Sequence, residues 1–146
     1  MADIKIIVDS GSDIPQDIAD KYNIGVISFL SIFGTEQYVQ RTEITNEQFF
    51  DKLEEYDGIP TTSQTPFGDM LDYFKQQCEE PESVIYFALS SAASGQYQTA
   101  HLVMSEIEDE IPNAHFHIVD SHKFSLYIAH TAVHAAQMSK TGHALH

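Results

Sequence analysis

Three apolar runs in this sequence end in the same way, and their shared ending constrains the fold more than any other feature. Each run has the length and the β-branched composition of a buried strand, and each is followed by a polar turn and a helix-like stretch. The runs cover residues 4–8, 84–89 and 116–119. Strands that alternate with helices form parallel sheets, so all three endings are expected at one edge of the sheet, where such folds bind ligands.

The remaining pattern predicts a further strand over residues 25–33 and five helices. Ser12 or Asp13 is predicted to cap the first helix, which ends near Tyr22. Thr45 or Asn46 is predicted to cap the second helix, and the others are predicted near 65–78, 94–109 and 123–140. Residues 61–65 read as a polar loop. The predicted fold is α/β, a mostly parallel central sheet with helices on both faces, in a single domain over residues 1–146.

Composition narrows the class of partner. Hydrophobic residues make up 42% of the 146 residues, enough for a folded core. Lys and Arg number 7 against 22 Asp and Glu, for a net charge of −15, which disfavours nucleic acid and anionic membrane surfaces as partners. No apolar run approaches the roughly 20 residues of a membrane span. The single cysteine, Cys78, excludes an internal disulfide and fits a reducing cytoplasm.

The predicted sheet edge gathers hydroxyls and carboxylates rather than cations. Each strand ending contributes, and so does the loop at residues 61–65: Asp9, Ser10, Ser90, Ser91, Ser94, Gly95, Asp120, Ser121, Thr62 and Ser63. Helices also begin there, and the free N–H groups of a helix N-terminus attract anions. The set as a whole therefore predicts a receptor for a carboxylate or a phosphate. For any single one of these side chains, the alternative is that it caps a helix and has no role in binding.

Four segments resemble the motifs of the DegV family, in the family's order. They are residues 8–15 (VDSGSDIP), Thr62-Ser63-Gln64, residues 89–100 (LSSAASGQYQTA), and Val119-Asp120-Ser121 followed by Ser125. The resemblance implies a bacterial fatty-acid-binding protein, in which the Thr of the second motif and the Ser of the Ser-Gly pair hold the carboxylate. Carried onto this sequence, those residues are Thr62 and Ser94.

The resemblance also implies a partner and a mode of action. Such proteins bind a long-chain fatty acid without catalysing a reaction and present it to the catalytic subunit of fatty acid kinase. No cofactor is implied. Apolar walls for the acyl chain are expected among Phe29, Ile32, Phe33, Phe124 and Leu126. The full set of expected ligand-binding residues is Thr62, Ser63, Ser94, Gly95, Ser91, Asp9, Ser10 and Ser121.

The sequence departs from the family pattern in several places. Val39-Gln40-Arg41 stands where Asp-Gly is usual, Thr65 stands where Pro is usual, and Leu126-Tyr127 stands where Gly is usual. Family members also have a second α/β domain, whereas this chain stops at His146, after the last helix predicted for the first domain. Without that domain, an apolar face would be left uncovered, and a homodimer is expected to cover it.

Two alternatives remain open from the residues alone. Asp9 followed by Asp13 is compatible with a magnesium-dependent phosphohydrolase or phosphotransferase, although Gly11 occupies the place where a second Asp is needed. A dimerising fragment without a ligand is the other alternative. No metal site is predicted, because the pairs His130/His134 and His143/His146 lack an acidic or cysteine partner at suitable spacing.

Overall fold

The computed structural model describes residues 4–78 and 83–142, which form seven strands and five helices. In chain order, these are β1 (Ile4–Asp9), α1 (Gln16–Tyr22), β2 (Gly25–Ile27), β3 (Leu30–Phe33), β4 (Glu36–Val39), α2 (Asn46–Glu55), β5 (Thr61–Ser63), α3 (Phe67–Gln77), β6 (Ser83–Ala88), α4 (Gln96–Glu110), β7 (His115–Asp120) and α5 (Leu126–Lys140). None of these helices has the length and apolar character needed to cross a membrane.

The central sheet is parallel throughout, with strand order β2-β1-β6-β7. Both faces of the sheet are apolar, as expected of strands buried between helices. Helices α3 and α4 cover one face, where Phe74 and Val103 join the core around Tyr86. Helices α1 and α5 cover the other face, where Ala19 and Ala132 join the core around Val8. The predicted fold, a mostly parallel sheet with helices on both faces, is confirmed.

A second, antiparallel sheet of order β4-β3-β5 lies beside the main one. The single strand predicted over residues 25–33 is therefore wrong, because β2 belongs to the parallel sheet and β3 to the antiparallel one. The break has a clear cause in hydrogen bonding. The Phe29 N–H donates to the Ser10 hydroxyl at 3.0 Å, and the Ser28 carbonyl accepts from the Thr65 hydroxyl at 2.8 Å. Side chains thus bond backbone groups at the point where the chain changes sheets.

Three further local predictions have different outcomes. Residues 61–65 do not form a simple loop, since Thr62 pairs with Ser31 in the antiparallel sheet as part of β5. Capping of α1 by Ser12 or Asp13 is also wrong, because α1 begins after Pro15 without a side-chain cap. Thr45 does cap α2, through a reciprocal pair of hydrogen bonds with Gln48.

Candidate functional site

A cleft of about 320 Å³ lies between β5 and the turn that precedes α4. Four of the predicted site residues line it: Thr62, Ser63, Ser94 and Gly95. Thr62 and Ser63 arrive on the antiparallel sheet, whereas Ser94 and Gly95 follow the β6 strand of the parallel sheet. The two segments are more than 30 residues apart in sequence, and the structure brings them to one place. Phe29, Gln64, Leu89 and Ala93 complete the lining.

On the Ser94 side, the cleft is bounded by the N-terminus of α4 and by the tight turn that precedes this helix. The N–H groups of Ala93 and Ser94 both donate to the Ser90 carbonyl, at 3.0 and 3.1 Å, so the chain turns tightly before α4 begins. The Ser94 hydroxyl oxygen accepts from the Gln96 N–H at 3.2 Å. A hydroxyl can accept and donate at the same time. The Ser94 hydrogen is therefore suited to donation toward an acceptor in the cleft.

Gly95 leaves room for the side chain of Gln64 to lie close to the start of α4. A Cβ atom placed on Gly95 would lie 2.7 Å from Oε1 of Gln64, closer than such contacts occur in proteins. The same Oε1 atom accepts from the Thr99 hydroxyl at 3.2 Å. Gln64, which follows Thr62 and Ser63 in sequence, thus lies across the start of α4 and is hydrogen-bonded to the first turn of that helix. The sequence analysis assigned no role to Gln64, although the residue is part of the second family motif.

The cleft offers neutral donors only, because none of its lining residues is Lys or Arg. An anion there would be held by hydroxyls, backbone amides and the positive end of the α4 dipole. Hydrogen bonds to an ionised acceptor are about twice as strong as neutral ones. Phe29 and Leu89 place apolar surface beside the hydroxyls. The arrangement thus suits a ligand with an acidic head and an apolar tail.

Comparison with known proteins places the chain in a family. The DegV family model, described as "Uncharacterised protein, DegV family", matches residues 3–146. The chain belongs to the DegV family. A DegV domain-containing protein of Clostridium perfringens is 34% identical over 143 residues, which cover 97% of this chain and 50% of the relative. Protein DegV of Bacillus subtilis is 27% identical and covers 95% of this chain and 48% of its own length. The chain therefore spans about half the length of these relatives.

Solved structures of DegV proteins have the same fold. A fatty-acid-binding DegV family protein of Thermus thermophilus superposes with a TM-score of 0.85 at 27% identity, over 98% of this chain and 49% of the other. DegV of Bacillus subtilis, named as a fatty acid binding protein, superposes with a TM-score of 0.88 at 25% identity, over 97% and 49%.

Asp9 and Ser10 of the DegV motif at residues 8–15 lie outside the cleft lining. Asp9 is completely buried, and its Oδ2 atom accepts from the Leu89 N–H at 2.7 Å and from the Tyr86 hydroxyl at 3.1 Å. Ser10 is also buried and donates to the Gln40 side chain at 2.7 Å. These bonds connect the end of β1 to β6 and to the antiparallel sheet. The two residues support the cleft from behind, and the expectation that they face it is not met.

Ser91 and Ser121 also lie outside the cleft lining, because they bond near the ends of β6 and β7. The Ser91 hydroxyl donates to Asp120, and the Ser91 N–H donates to Oδ1 of the same residue at 3.1 Å. These bonds lower the pKa of the Asp120 carboxyl group. The Ser121 N–H donates to the Ala88 carbonyl at 3.2 Å, and its hydroxyl donates to the Lys123 carbonyl at 3.2 Å. The two serines therefore hold neighbouring strand ends together.

Of the predicted apolar walls, only Phe29 lines the cleft. Phe33 instead packs with Phe49 and Tyr56 between β3 and α2, with ring centroids 5.4 Å apart in each pair. Phe124 and Leu126 are 55% and 60% exposed and are absent from the cleft lining, as is Ile32. Leu89 and Ala93 line the cleft although the sequence analysis did not select them. Both fall in the DegV segment 89–100, which was the available signal.

The geometry does not favour phosphoryl transfer at Asp9. A nucleophilic carboxylate needs access to substrate, and Asp9 has no exposed surface. Burial, the largest influence, also raises the pKa of Asp9 to about 6. Within residues 4–78 and 83–142, no three His, Cys, Asp or Glu side chains are placed to share a metal ion. His143 and His146, considered above as metal ligands, lie outside the described residues.

Proposed function

We propose that this chain binds a long-chain fatty acid as a non-enzymatic binding protein. In this proposal, the Thr62 and Ser94 hydroxyls donate to the carboxylate, together with amides around Ser63 and Gly95. The acyl chain begins against Phe29 and Leu89. The observation that carries the proposal is the cleft itself, in which two hydroxyl-bearing segments from different sheets meet beside apolar side chains.

Charge supports the choice of ligand. The chain carries a net charge of −15, which repels anions at long range, so an anion must be held by short-range donors. A single carboxylate matches a site with two hydroxyls and a helix N-terminus. The fatty-acid-binding DegV proteins of Thermus thermophilus and Bacillus subtilis agree with this choice.

We further propose that the protein presents the bound acid to the catalytic subunit of a fatty acid kinase. The support is family membership together with the open side of the cleft, through which a second protein would reach the carboxylate. A pull-down with such a kinase subunit, in the presence and absence of tetradecanoic acid, tests this step. Binding that is independent of the acid and of Ser94 would contradict presentation at this site.

Ser94→Ala tests the head-group site. The variant loses one hydrogen bond to a charged group, which is worth about 1.5–3 kcal/mol, so the affinity for tetradecanoic acid should fall about 10- to 150-fold. Isothermal titration calorimetry measures this change. Ser105→Ala is the matched control, because Ser105 is exposed on α4, the helix that follows Ser94, and donates to the His101 carbonyl. Equal affinity in both variants would show that the carboxylate lies elsewhere.

A further inference from the structure

The first residue of α4 is a glutamine with no exposed surface, which is unusual for so long a polar side chain. The cost of burying Gln96 is offset by two hydrogen bonds to a single partner, Thr65. The Oε1 atom of Gln96 accepts from the Thr65 N–H at 3.0 Å, and its Nε2 atom donates to the Thr65 hydroxyl at 2.9 Å. The Thr65 N–H can only donate, so the orientation of the amide follows from the network. Both polar ends of Gln96 are satisfied inside the protein.

This pair joins the two sides of the cleft directly behind the lining residues. Thr65 follows the segment that carries Thr62, and Gln96 follows Ser94 and Gly95. The Thr65 hydroxyl donates onward to the Ser28 carbonyl at 2.8 Å, at the point where the chain changes sheets. The pair is therefore a buried link between the segment that follows the antiparallel sheet and the N-terminus of α4. A change in its geometry alters the separation of the two cleft hydroxyls.

Gln96 is also tied to the core of the parallel sheet. Its side chain acts on the buried Tyr86 hydroxyl, where it opposes the rise in the pKa of Tyr86 that burial causes, and that hydroxyl donates to Oδ2 of Asp9 at 3.1 Å. A buried polar pair whose hydrogen bonds are satisfied holds one geometry more rigidly than apolar packing does, and the two bonds between Gln96 and Thr65 meet that condition. The position of Thr65 is thus fixed with respect to α4 and to the backbone at Ser28. An apolar side chain at residue 96 would fill the space without fixing that position.

We infer that Gln96 and Thr65 are positioning residues that set the spacing of the Thr62 and Ser94 hydroxyls, and with it the preference for a carboxylate head group. This inference rests on the proposed function, because it concerns the geometry of the same site. Neither residue lines the cleft. Their effect is on selectivity: an acid is bound through two well-spaced donors, whereas an alcohol gains less from that spacing.

Native mass spectrometry of protein mixed with equal amounts of tetradecanoic acid and 1-tetradecanol tests the inference. The ratio of acid-bound to alcohol-bound protein reports head-group preference separately from tail affinity. Gln96→Met keeps the length of the side chain and removes both hydrogen bonds, and we expect the ratio to fall about tenfold. Gln98→Met is the matched control on the exposed side of α4 and should leave the ratio unchanged.

A second pair of variants keeps the test decisive if Gln96→Met does not fold. Thr65→Val removes the hydroxyl and should lower the ratio, whereas Thr65→Ser keeps both bonds and should restore it. A ratio that is the same in wild type, Gln96→Met and Thr65→Val, with only the melting temperature reduced, would overturn the inference. Failure of the wild-type protein to bind the acid would instead overturn the proposed function.

Discussion

The burial of Asp9 predicts that the protein loses stability as the pH rises from about 4 to about 6. Desolvation raises the pKa of Asp9 from 3.8 to about 6, despite hydrogen bonds from the Leu89 N–H and the Tyr86 hydroxyl. The folded protein therefore holds this proton more tightly than the unfolded chain does. Below pH 3.8, Asp9 is protonated in both the folded and the unfolded protein and does not lower the free energy of unfolding. Above about pH 6, Asp9 is ionised in both, and the full loss of stability is reached. At about 1.4 kcal/mol per pKa unit, that loss is about 3 kcal/mol.

Asp9→Asn isolates this effect. Asparagine keeps an oxygen that can accept from the Leu89 N–H but carries no charge at any pH. Urea unfolding of wild type and variant, followed by circular dichroism from pH 4 to pH 8, gives the difference in the free energy of unfolding. That difference should shift by about 2.5 kcal/mol in favour of the variant across this range, because at pH 4 part of the loss is already present. Asp51→Asn, on the exposed side of α2, is the control.

The reasoning is refuted if the free energies of unfolding of Asp9→Asn and wild type differ by the same amount at every pH from 4 to 8. A constant difference would mean that Asp9 titrates alike in the folded and unfolded states and is not desolvated. The same variant tests the phosphotransferase alternative. Magnesium-dependent turnover of a phosphoester by the wild type, abolished in Asp9→Asn, would establish the catalytic role that complete burial of this residue argues against.

Three further predictions follow from local geometry. Gly95→Ala should weaken binding of tetradecanoic acid in calorimetry with little change in melting temperature, because the added Cβ displaces the flexible end of Gln64 while φ of −73° suits alanine. Thr45→Ala should lower the free energy of unfolding in urea by about 1 kcal/mol, since it removes the cap of α2, and Thr45→Ser should not. Tyr127 is 73% exposed and lies next to the exposed Leu126, so we expect this surface to promote self-association. Tyr127→Ser should then lower the sedimentation coefficient of a concentrated sample. If the wild type and the variant both sediment as monomers, the prediction is wrong.

The sequence was sufficient for the main sheet because its signals are local. Residues 84–89 are a continuous apolar run, residues 4–8 are apolar except for Lys5, and both have polar endings. Such runs form parallel strands whose ends share one edge. The same logic placed Ser94 at that edge, whereas the pairing of Thr62 with Ser94 came from the resemblance to the family motifs. Thr62 and Ser94 lie in the second and third of these motifs, near Gln64 and Gly95 in sequence.

The remainder depends on contacts between distant residues, which a single sequence does not reveal. Residues 25–33 read as one apolar strand, and only the Ser10 and Thr65 hydroxyls, bonded to the backbone at residues 28 and 29, show why it divides. Asp9 reads as an exposed ligand at a strand end. Its partners, Tyr86 and Leu89, are 77 and 80 residues away, and they turn it into a buried connection between strands.

The central claim is that neutral hydroxyls and amides, without a cation, hold a fatty acid carboxylate between Thr62 and Ser94. A crystal structure of the protein grown with tetradecanoic acid tests it most directly. We predict density for the carboxylate within hydrogen-bonding distance of both hydroxyls, and density for the acyl chain leaving past Phe29. An acid bound with its carboxylate elsewhere, or an empty cleft at saturating ligand, would contradict the account.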